Sequence, residues 1–199
     1  MSLRLATLAT LLVVIAACSA PHEVSTSATG SKSYVAPGYE KKKYNKIMVM
    51  ALLADNTYRK RAENSLVTEL KARGFKVIPS TDIFTNEMLK DTAALRSTAE
   101  ANGVDAAITI QFLGAVSNVS DQGKYNGSMY SFFGTPYAVV DIETFNVRTG
   151  MVQLDLFTAE KLGTQYRTGL PFKISNGIES AFAEFGIQAR RRLIDDRIL

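Results

Sequence analysis

One continuous apolar run, KIMVMALL at residues 46–53, most constrains the fold. A run without polar alternation is typical of a strand that is covered on both faces of its sheet. A helix is predicted after this strand, and Gly74 marks its end. FKVIP at residues 75–79 then gives a second short strand. The helical stripe consists of Tyr58, Ala62, Leu66, Val67 and Leu70. These pieces predict a right-handed βαβ unit with parallel strands.

A second helix and a third strand follow this unit. Leu95 and Ala99 lie four residues apart, which places them on one helical face, and Asn102 with Gly103 predicts the end of that helix. Residues 104–116 form another largely apolar run, which predicts a strand.

Two runs rich in β-branched and aromatic residues come next, at residues 137–147 and 151–159. The three residues between them, 148–150, end in Gly150, which favours a hairpin connection with a left-handed residue.

Residues 175–194 predict the last helix, with Asn176 and Glu179 as a capping box. Its inward face consists of Ile178, Phe182, Phe185, Ala189 and Leu193. The predicted order is therefore β-α-β-α-β-β-β-α, an α/β fold in which helices pack on a mixed sheet, within one domain at residues 46–199.

The amino terminus has the parts of a secretory signal. Arg4 is the only charge before the apolar run at residues 5–17, which is too short for a permanent transmembrane helix of roughly 20 residues. Ile15, Ala16, Ala17 and Cys18 resemble the lipobox of bacterial lipoproteins, in which the cysteine is lipidated and the preceding residues are removed. The resemblance implies a signal peptide at residues 1–17 and acyl chains such as palmitate on Cys18.

The residue after the cysteine is Ser19. By the same resemblance, a serine there implies sorting to the outer membrane, with the domain on the periplasmic face. The alternative is that Cys18 is an ordinary small apolar residue. A lone thiol in an exported protein has no intramolecular partner, whereas a lipidated one needs none, and this favours lipidation.

Residues 19–45 are rich in Ser, Thr, Ala, Gly and Pro and have no apolar period. This composition predicts a flexible tether, which with Cys18 spans residues 18–45. Fully extended, it would reach at most about 90 Å at ~3.3 Å per residue, so we expect the domain to stay near its membrane.

Composition excludes several functions. The chain carries 23 Lys and Arg against 19 Asp and Glu, and loss of Arg4 with the leader leaves a net charge of +3, which is too mild to indicate nucleic acid as a partner. His22 is the only histidine and lies in the tether. A nucleophilic Ser-His or Cys-His pair and a zinc site of such ligands are therefore excluded, and we predict no cofactor, no metal and no enzymatic activity.

The stretch IMVMALLADNTYRKRAENSLVTELKARGFKVI, residues 47–78, is similar to the opening of two kinds of periplasmic domain. These are the domains of curli-secretion-type (CsgG-like) lipoproteins and of lipoprotein activators of penicillin-binding proteins. The resemblance implies a non-enzymatic envelope lipoprotein that binds another envelope protein to assist its assembly or activity. It leaves open a homo-oligomer, such as the rings of the secretion lipoproteins.

A long loop is predicted at residues 118–136, NVSDQGKYNGSMYSFFGTP. Glycines separate its four aromatic residues, which are Tyr125, Tyr130, Phe132 and Phe133. Such residues either fold back over a sheet edge or contact a partner, and large loops often carry function. We take these four as the candidate partner-binding residues.

Two other sites remain as alternatives. Asp141 and Glu143 are two residues apart on a predicted strand and share a face, as a carboxylate-dependent hydrolase or a cation-binding protein would require; the other interpretation is the polar face of an amphipathic strand. A small-anion site is the other alternative, at Asn56–Arg61 where the helix after the first strand begins, with Asn56, Thr57 and Arg59 as ligand-binding residues and Lys60 and Arg61 as further positive charge. The other interpretation is that Asn56 only caps the helix.

Overall fold

The computed structural model describes residues 23–24, 33–85, 88, 91–113, 129–132, 135–138 and 149–199. The strands are β1 Glu23–Val24, β2 Ser33–Val35, β3 Ile47–Ala51, β4 Val77–Pro79, β5 Ala106–Leu113, β6 Met129–Phe132, β7 Thr135–Ala138, β8 Thr149–Thr158 and β9 Tyr166–Lys173. The helices are α1 Asn56–Lys71, α2 Thr92–Ala101 and α3 Ile178–Asp195, with a 3-10 turn at Ser80–Asp82.

Seven strands form one mixed sheet in the order β1-β2-β9-β8-β5-β3-β4. Strand β3 is parallel to both β4 and β5, whereas the other pairs are antiparallel. The predicted α/β fold, a mixed sheet with helices packed on it, is confirmed. The short strands β1 and β2 extend the sheet, and β6 and β7 form a separate two-stranded ribbon.

Strand β3 has helices on both of its faces. Ile47 and Val49 belong to a core that includes the buried residues of α1 and α3, whereas Met48 and Met50 pack with Leu95 of α2. All five residues of β3 are buried, as the unbroken apolar run predicts.

Two predicted helix starts are wrong. The side chain of Asp55, not Asn56, caps α1 by accepting from the backbone N of Tyr58 at 2.8 Å. Gly177, with φ of 91°, precedes α3 and makes no side-chain capping bond, so the capping box of Asn176 and Glu179 does not form. Glu179 pairs instead with Arg61 of α1.

The predicted hairpin connection at residues 148–150 is also wrong, because Thr149 and Gly150 belong to β8 and Gly150 pairs with Phe172. The observed hairpin joins β8 to β9 through residues 159–165. Sequence reasoning missed β9 because Gly169 and Pro171 disfavour strands. Pro171 is tolerated because β2 pairs only with the first three residues of β9, so no β2 residue faces it. Residues 139–148 lie outside the described part of the chain.

The flexible tether predicted to residue 45 is wrong for residues 33–45. Strand β2 pairs with β9, and Tyr39 and Tyr44 pack against the core. The bonds that hold β2 come from far along the chain, which a local compositional argument cannot detect. Of the remaining tether, Glu23–Val24 forms β1, and the rest lies outside the described residues.

Candidate functional site

The two ends of the sheet carry different groups, and we name them by their residues. The basal end consists of residues 36–46, 74–76, 102–105 and 159–165, where β3, β4 and β5 begin and β8 turns into β9. The apical end consists of residues 52–55, 80–85, 113 and 174–177. The register of Leu113 with Met151 shows that β5 ends, and β8 begins, at the apical end.

The three residues of the predicted anion site are not brought together. Asn56 and Thr57 are exposed on the first turn of α1, but the side chain of Arg59 is 0% exposed. Lys60 is exposed, and Arg61 pairs with Glu179. The side chain of Arg59 is therefore not available to an anion in solvent.

Arg59 instead belongs to a buried network with Glu63 and Ser80. Its Nε donates to Oε1 of Glu63 at 3.1 Å, and one terminal nitrogen donates to Oγ of Ser80 at 2.6 Å. Ser80 Oγ donates to the same Oε1 at 2.6 Å. Glu63 also accepts from the backbone N of Ala51 at 3.0 Å and of Thr81 at 2.9 Å. The network thereby joins α1 to the carboxyl ends of β3 and β4.

A serine beside a carboxylate can serve in nucleophilic catalysis, but these two side chains are not accessible from solvent. Arg59, Glu63 and Ser80 are all 0% exposed, and the guanidinium compensates the carboxylate. The contacts fix α1 on the sheet. The signal that could have revealed the pair is its i,i+4 spacing on the face of α1 that also carries Ala62 and Leu66.

A second buried network holds β2 in place. Oδ2 of Asp196 accepts from Ser33 Oγ at 2.6 Å and from Tyr166 Oη at 2.7 Å, and Arg192 Nε lies 2.8 Å away. Ser33 Oγ also accepts from Arg192 Nε at 3.1 Å and lies 3.1 Å from Thr168 Oγ1. The pKa of Tyr166 is raised to about 12, mainly by burial and also by its bond to Asp196, whereas its bonds to Ser33 and Thr168 lower it.

The polar face of β8 is not simply exposed to solvent. Asp155 alternates with buried Leu154 and Leu156, yet its own side chain is only 1% exposed. Arg167 of β9 binds it with two bonds, at 2.7 and 2.9 Å. Asp141 and Glu143, the predicted carboxylate pair, lie outside the described residues.

A cleft of about 280 Å³ lies at the basal end, lined in part by Tyr39, Lys41, Lys42, Glu160 and Lys161. Lys41 and Lys161 donate to main-chain oxygens, those of Leu199 at 2.6 Å and Gly38 at 2.7 Å, whereas Lys42 pairs with Glu160. Sequence reasoning did not predict this cleft, because it depends on the return of residues 159–165 to the segment before β3.

The basal end also carries two tyrosines and an exposed leucine. The hydroxyls of Tyr39 and Tyr44 lie 3.1 Å apart, and burial raises the pKa of both groups. Leu162, at the tip of the β8–β9 turn, is 79% exposed.

The candidate partner-binding residues lie only partly within the described chain. Tyr130 and Phe132 occupy alternate positions of β6, and Tyr130 is the register partner of Tyr137 in β7. The prediction of a loop is thus wrong for Met129–Phe132. Tyr125 and Phe133 lie outside the described residues.

The direction of β1 shows at which end of the sheet the chain enters it. Cys18 lies outside the described residues, but the first described strand begins at Glu23, whose register partner Tyr34 pairs with Arg167 near the start of β9. Because β9 starts at the basal end, the chain enters β1 from there. The five-residue step from Cys18 to Glu23 spans at most about 17 Å at ~3.3 Å per residue.

Two kinds of feature are absent from the described residues. No group of three or more His, Cys, Asp and Glu side chains among them could hold a metal ion. Of the helices described, none combines the length and apolar character that crossing a bilayer requires.

Comparison with known proteins gives weak structural likenesses. No protein-family model and no curated protein matches the chain. Among solved structures it is similar to the PelC dodecamer from Paraburkholderia phytofirmans, with 9% identity, a TM-score of 0.43, and 84% of this chain and 95% of that chain covered. It is also similar to lipoprotein GNA1162 from Neisseria meningitidis, with 13% identity, a TM-score of 0.40, and 76% and 98% covered. At these values the fold assignment depends on the chain's own strand register.

Proposed function

We propose that this protein is a non-enzymatic outer-membrane lipoprotein. It is anchored through acyl chains on Cys18, and its periplasmic domain binds another envelope protein to assist that protein's assembly or activity. The observation that carries the proposal is the opposition of the two sheet ends. The chain from Cys18 reaches β1 at the basal end, and the segment with the four candidate aromatic residues leaves β5 and returns to β8 at the apical end.

The first described strand, β1, is joined to the rest of the domain through its pairing with β2. Strand β2 is hydrogen-bonded to β9, and Ser33 is bound to Asp196 at the end of α3. A lipid at Cys18 would therefore anchor the whole domain through the short segment between Cys18 and β1, with the apical end directed away from the bilayer. The segment between β5 and β8 joins the sheet at that end, which supports contact of its aromatic residues with a second protein rather than with the lipid.

The anchor is tested by metabolic labelling with an alkyne-bearing palmitate analogue and by separation of inner and outer membranes. The wild-type chain should be labelled and recovered in the outer membrane, and Cys18→Ser should be unlabelled. Ser19→Ala is the matched control, which should be labelled like wild type. An unlabelled wild-type chain with an uncleaved leader would refute the anchor.

The docking step is tested by crosslinking in intact cells followed by mass spectrometry. Replacing Tyr125, Tyr130, Phe132 and Phe133 together with Ser should abolish the crosslinked partner while the melting temperature stays near that of wild type. The control is Arg96→Ser with Glu100→Ser, an exposed pair on α2. Lost stability with the partner still captured would assign the aromatic residues to the core. Crosslinks between copies of this chain would identify the partner as a homo-oligomer.

A further inference from the structure

The basal end combines an exposed leucine with a group of lysines. Leu162 is the most exposed large apolar residue described, at 79%, and it stands at the tip of the turn between β8 and β9. Lys161 precedes it directly, and Lys41, Lys42 and Lys43 belong to the segment on the other side of the cleft. A single exposed leucine is common on protein surfaces, so the charges around it decide its meaning.

The charges of the two ends differ in sign. The basal end carries six lysines and three acidic residues, which are Lys41, Lys42, Lys43, Lys46, Lys76 and Lys161 against Glu40, Asp105 and Glu160. At the carboxyl end of α3, Asp195 and Arg197 offset each other, and Asp196 pairs with Arg192. The apical connections at residues 52–55, 80–85 and 174–177 carry Asp55 and Asp82 and no basic residue. Lys161 bonds to the peptide carbonyl of Gly38, which leaves its positive charge uncompensated by that contact.

We propose that the basal end is a membrane-contacting surface. Leu162 enters the interfacial layer of the bilayer, and Lys41, Lys43 and Lys161 contact the phosphates of anionic phospholipids. An apolar tip on the same end of the domain as a group of lysines is an arrangement that binds such an interface, because apolar burial and attraction to anionic lipids add. The inference rests on the proposed function in one respect, since the acyl chains of Cys18 deliver this end to the bilayer.

Vesicle binding tests the surface without the anchor. Residues 19–199 contain every described element of the fold and carry no acylation site, and they should sediment with vesicles of phosphatidylglycerol and phosphatidylethanolamine but not of phosphatidylcholine alone. High salt should weaken this binding because it screens the lysines.

Two variants and two matched controls locate the contact. Leu162→Ser should weaken binding about tenfold, as expected for partial burial of a leucine. Lys43→Glu with Lys161→Glu should weaken it by at least about tenfold. Leu113→Ser, at the other exposed leucine, and Lys60→Glu with Lys173→Glu, at exposed lysines toward the apical end, should change it by less than about twofold.

A fluorescent reporter gives an independent measurement, because the chain contains no tryptophan. Emission of Leu162→Trp should shift to shorter wavelength on adding phosphatidylglycerol vesicles, and emission of Leu113→Trp should not. Absence of wild-type binding, or equal losses in the controls, would overturn the inference. If Cys18 is labelled but the vesicles are not bound, only this inference fails; if the vesicles are bound but Cys18 is not labelled, only the anchor fails.

Discussion

Arg59 donates to Glu63 over 3.1 Å with neither side chain exposed to solvent. Removing one partner of a buried ion pair leaves the other charge uncompensated, so we expect Arg59→Met to lower the free energy of unfolding by about 3–5 kcal/mol. Lys60→Met, at the exposed neighbouring position, should change it by less than about 0.5 kcal/mol. Urea unfolding followed by circular dichroism measures both. An effect of Arg59→Met as small as that of the control would contradict the structural role.

Ser33 is the link between β2 and the end of α3. Ser33→Ala removes its bonds to Asp196 and Arg192, so we expect a loss of about 1–3 kcal/mol and faster exchange of the β2 backbone amides. Ser97→Ala is the control, because Ser97 is exposed on α2 and its hydroxyl donates to the carbonyl of Ala94 in the same helix. Hydrogen exchange read by mass spectrometry resolves the segment. If exchange in β2 stays slow in Ser33→Ala, backbone pairing with β9 alone holds the strand.

Tyr166 makes stability depend on pH in the alkaline range. Its pKa in the folded protein is about 12, against about 10 for an unfolded tyrosine. A raised pKa means that its contribution is complete below pH ~10 and is lost as the pH rises toward ~12. Over this range the stability advantage of wild type over Tyr166→Phe should shrink by on the order of 2 kcal/mol.

Wild type must be compared with Tyr166→Phe because burial also raises the pKa of Tyr39 and Tyr44. These two tyrosines therefore lower the free energy of unfolding of both proteins as the pH rises. Guanidinium unfolding at several pH values supplies the comparison. A constant gap from pH 9 to 12 would show that the Tyr166 hydroxyl titrates alike in the folded and unfolded chains.

Gly186 lets α3 approach α1 closely. A Cβ at this position would lie 2.6 Å from the backbone oxygen of Ser65, which cannot move without displacing α1. Gly186→Ala should therefore cost about 1–3 kcal/mol, although alanine favours helices. Gly169→Ala is the matched test, because its new Cβ meets only the flexible end of Met151, at 3.1 Å. Thermal unfolding should lower the melting temperature of the first variant more than that of the second.

The sequence predicted the elements whose signals are local. The apolar run of β3, the stripe of α1 ending at Gly74 and the inner face of α2 at Leu95 and Ala99 are all observed. In each case one segment carries its own periodicity or stop signal, so propensity and burial agree.

The parts that sequence reasoning missed depend on distant partners. Strand β2 lies in a stretch with the composition of a linker and exists because Ser33 and Tyr34 meet β9. Arg59 was expected to attract an anion, but it binds Glu63 and Ser80. Local composition cannot distinguish a charged side chain that meets solvent from one that meets a buried carboxylate.

Strand β2 has one consequence for how the molecule is made. A chain synthesised from its amino end presents Ser33 early, but the residue that pairs with it, Thr168, arrives only when most of the polypeptide has appeared. Until then β2 cannot pair in this way, because β9 has not yet been synthesised. The pairing of β2 with β9 therefore forms late in synthesis, and any delay in making the carboxyl-terminal part of the chain delays it.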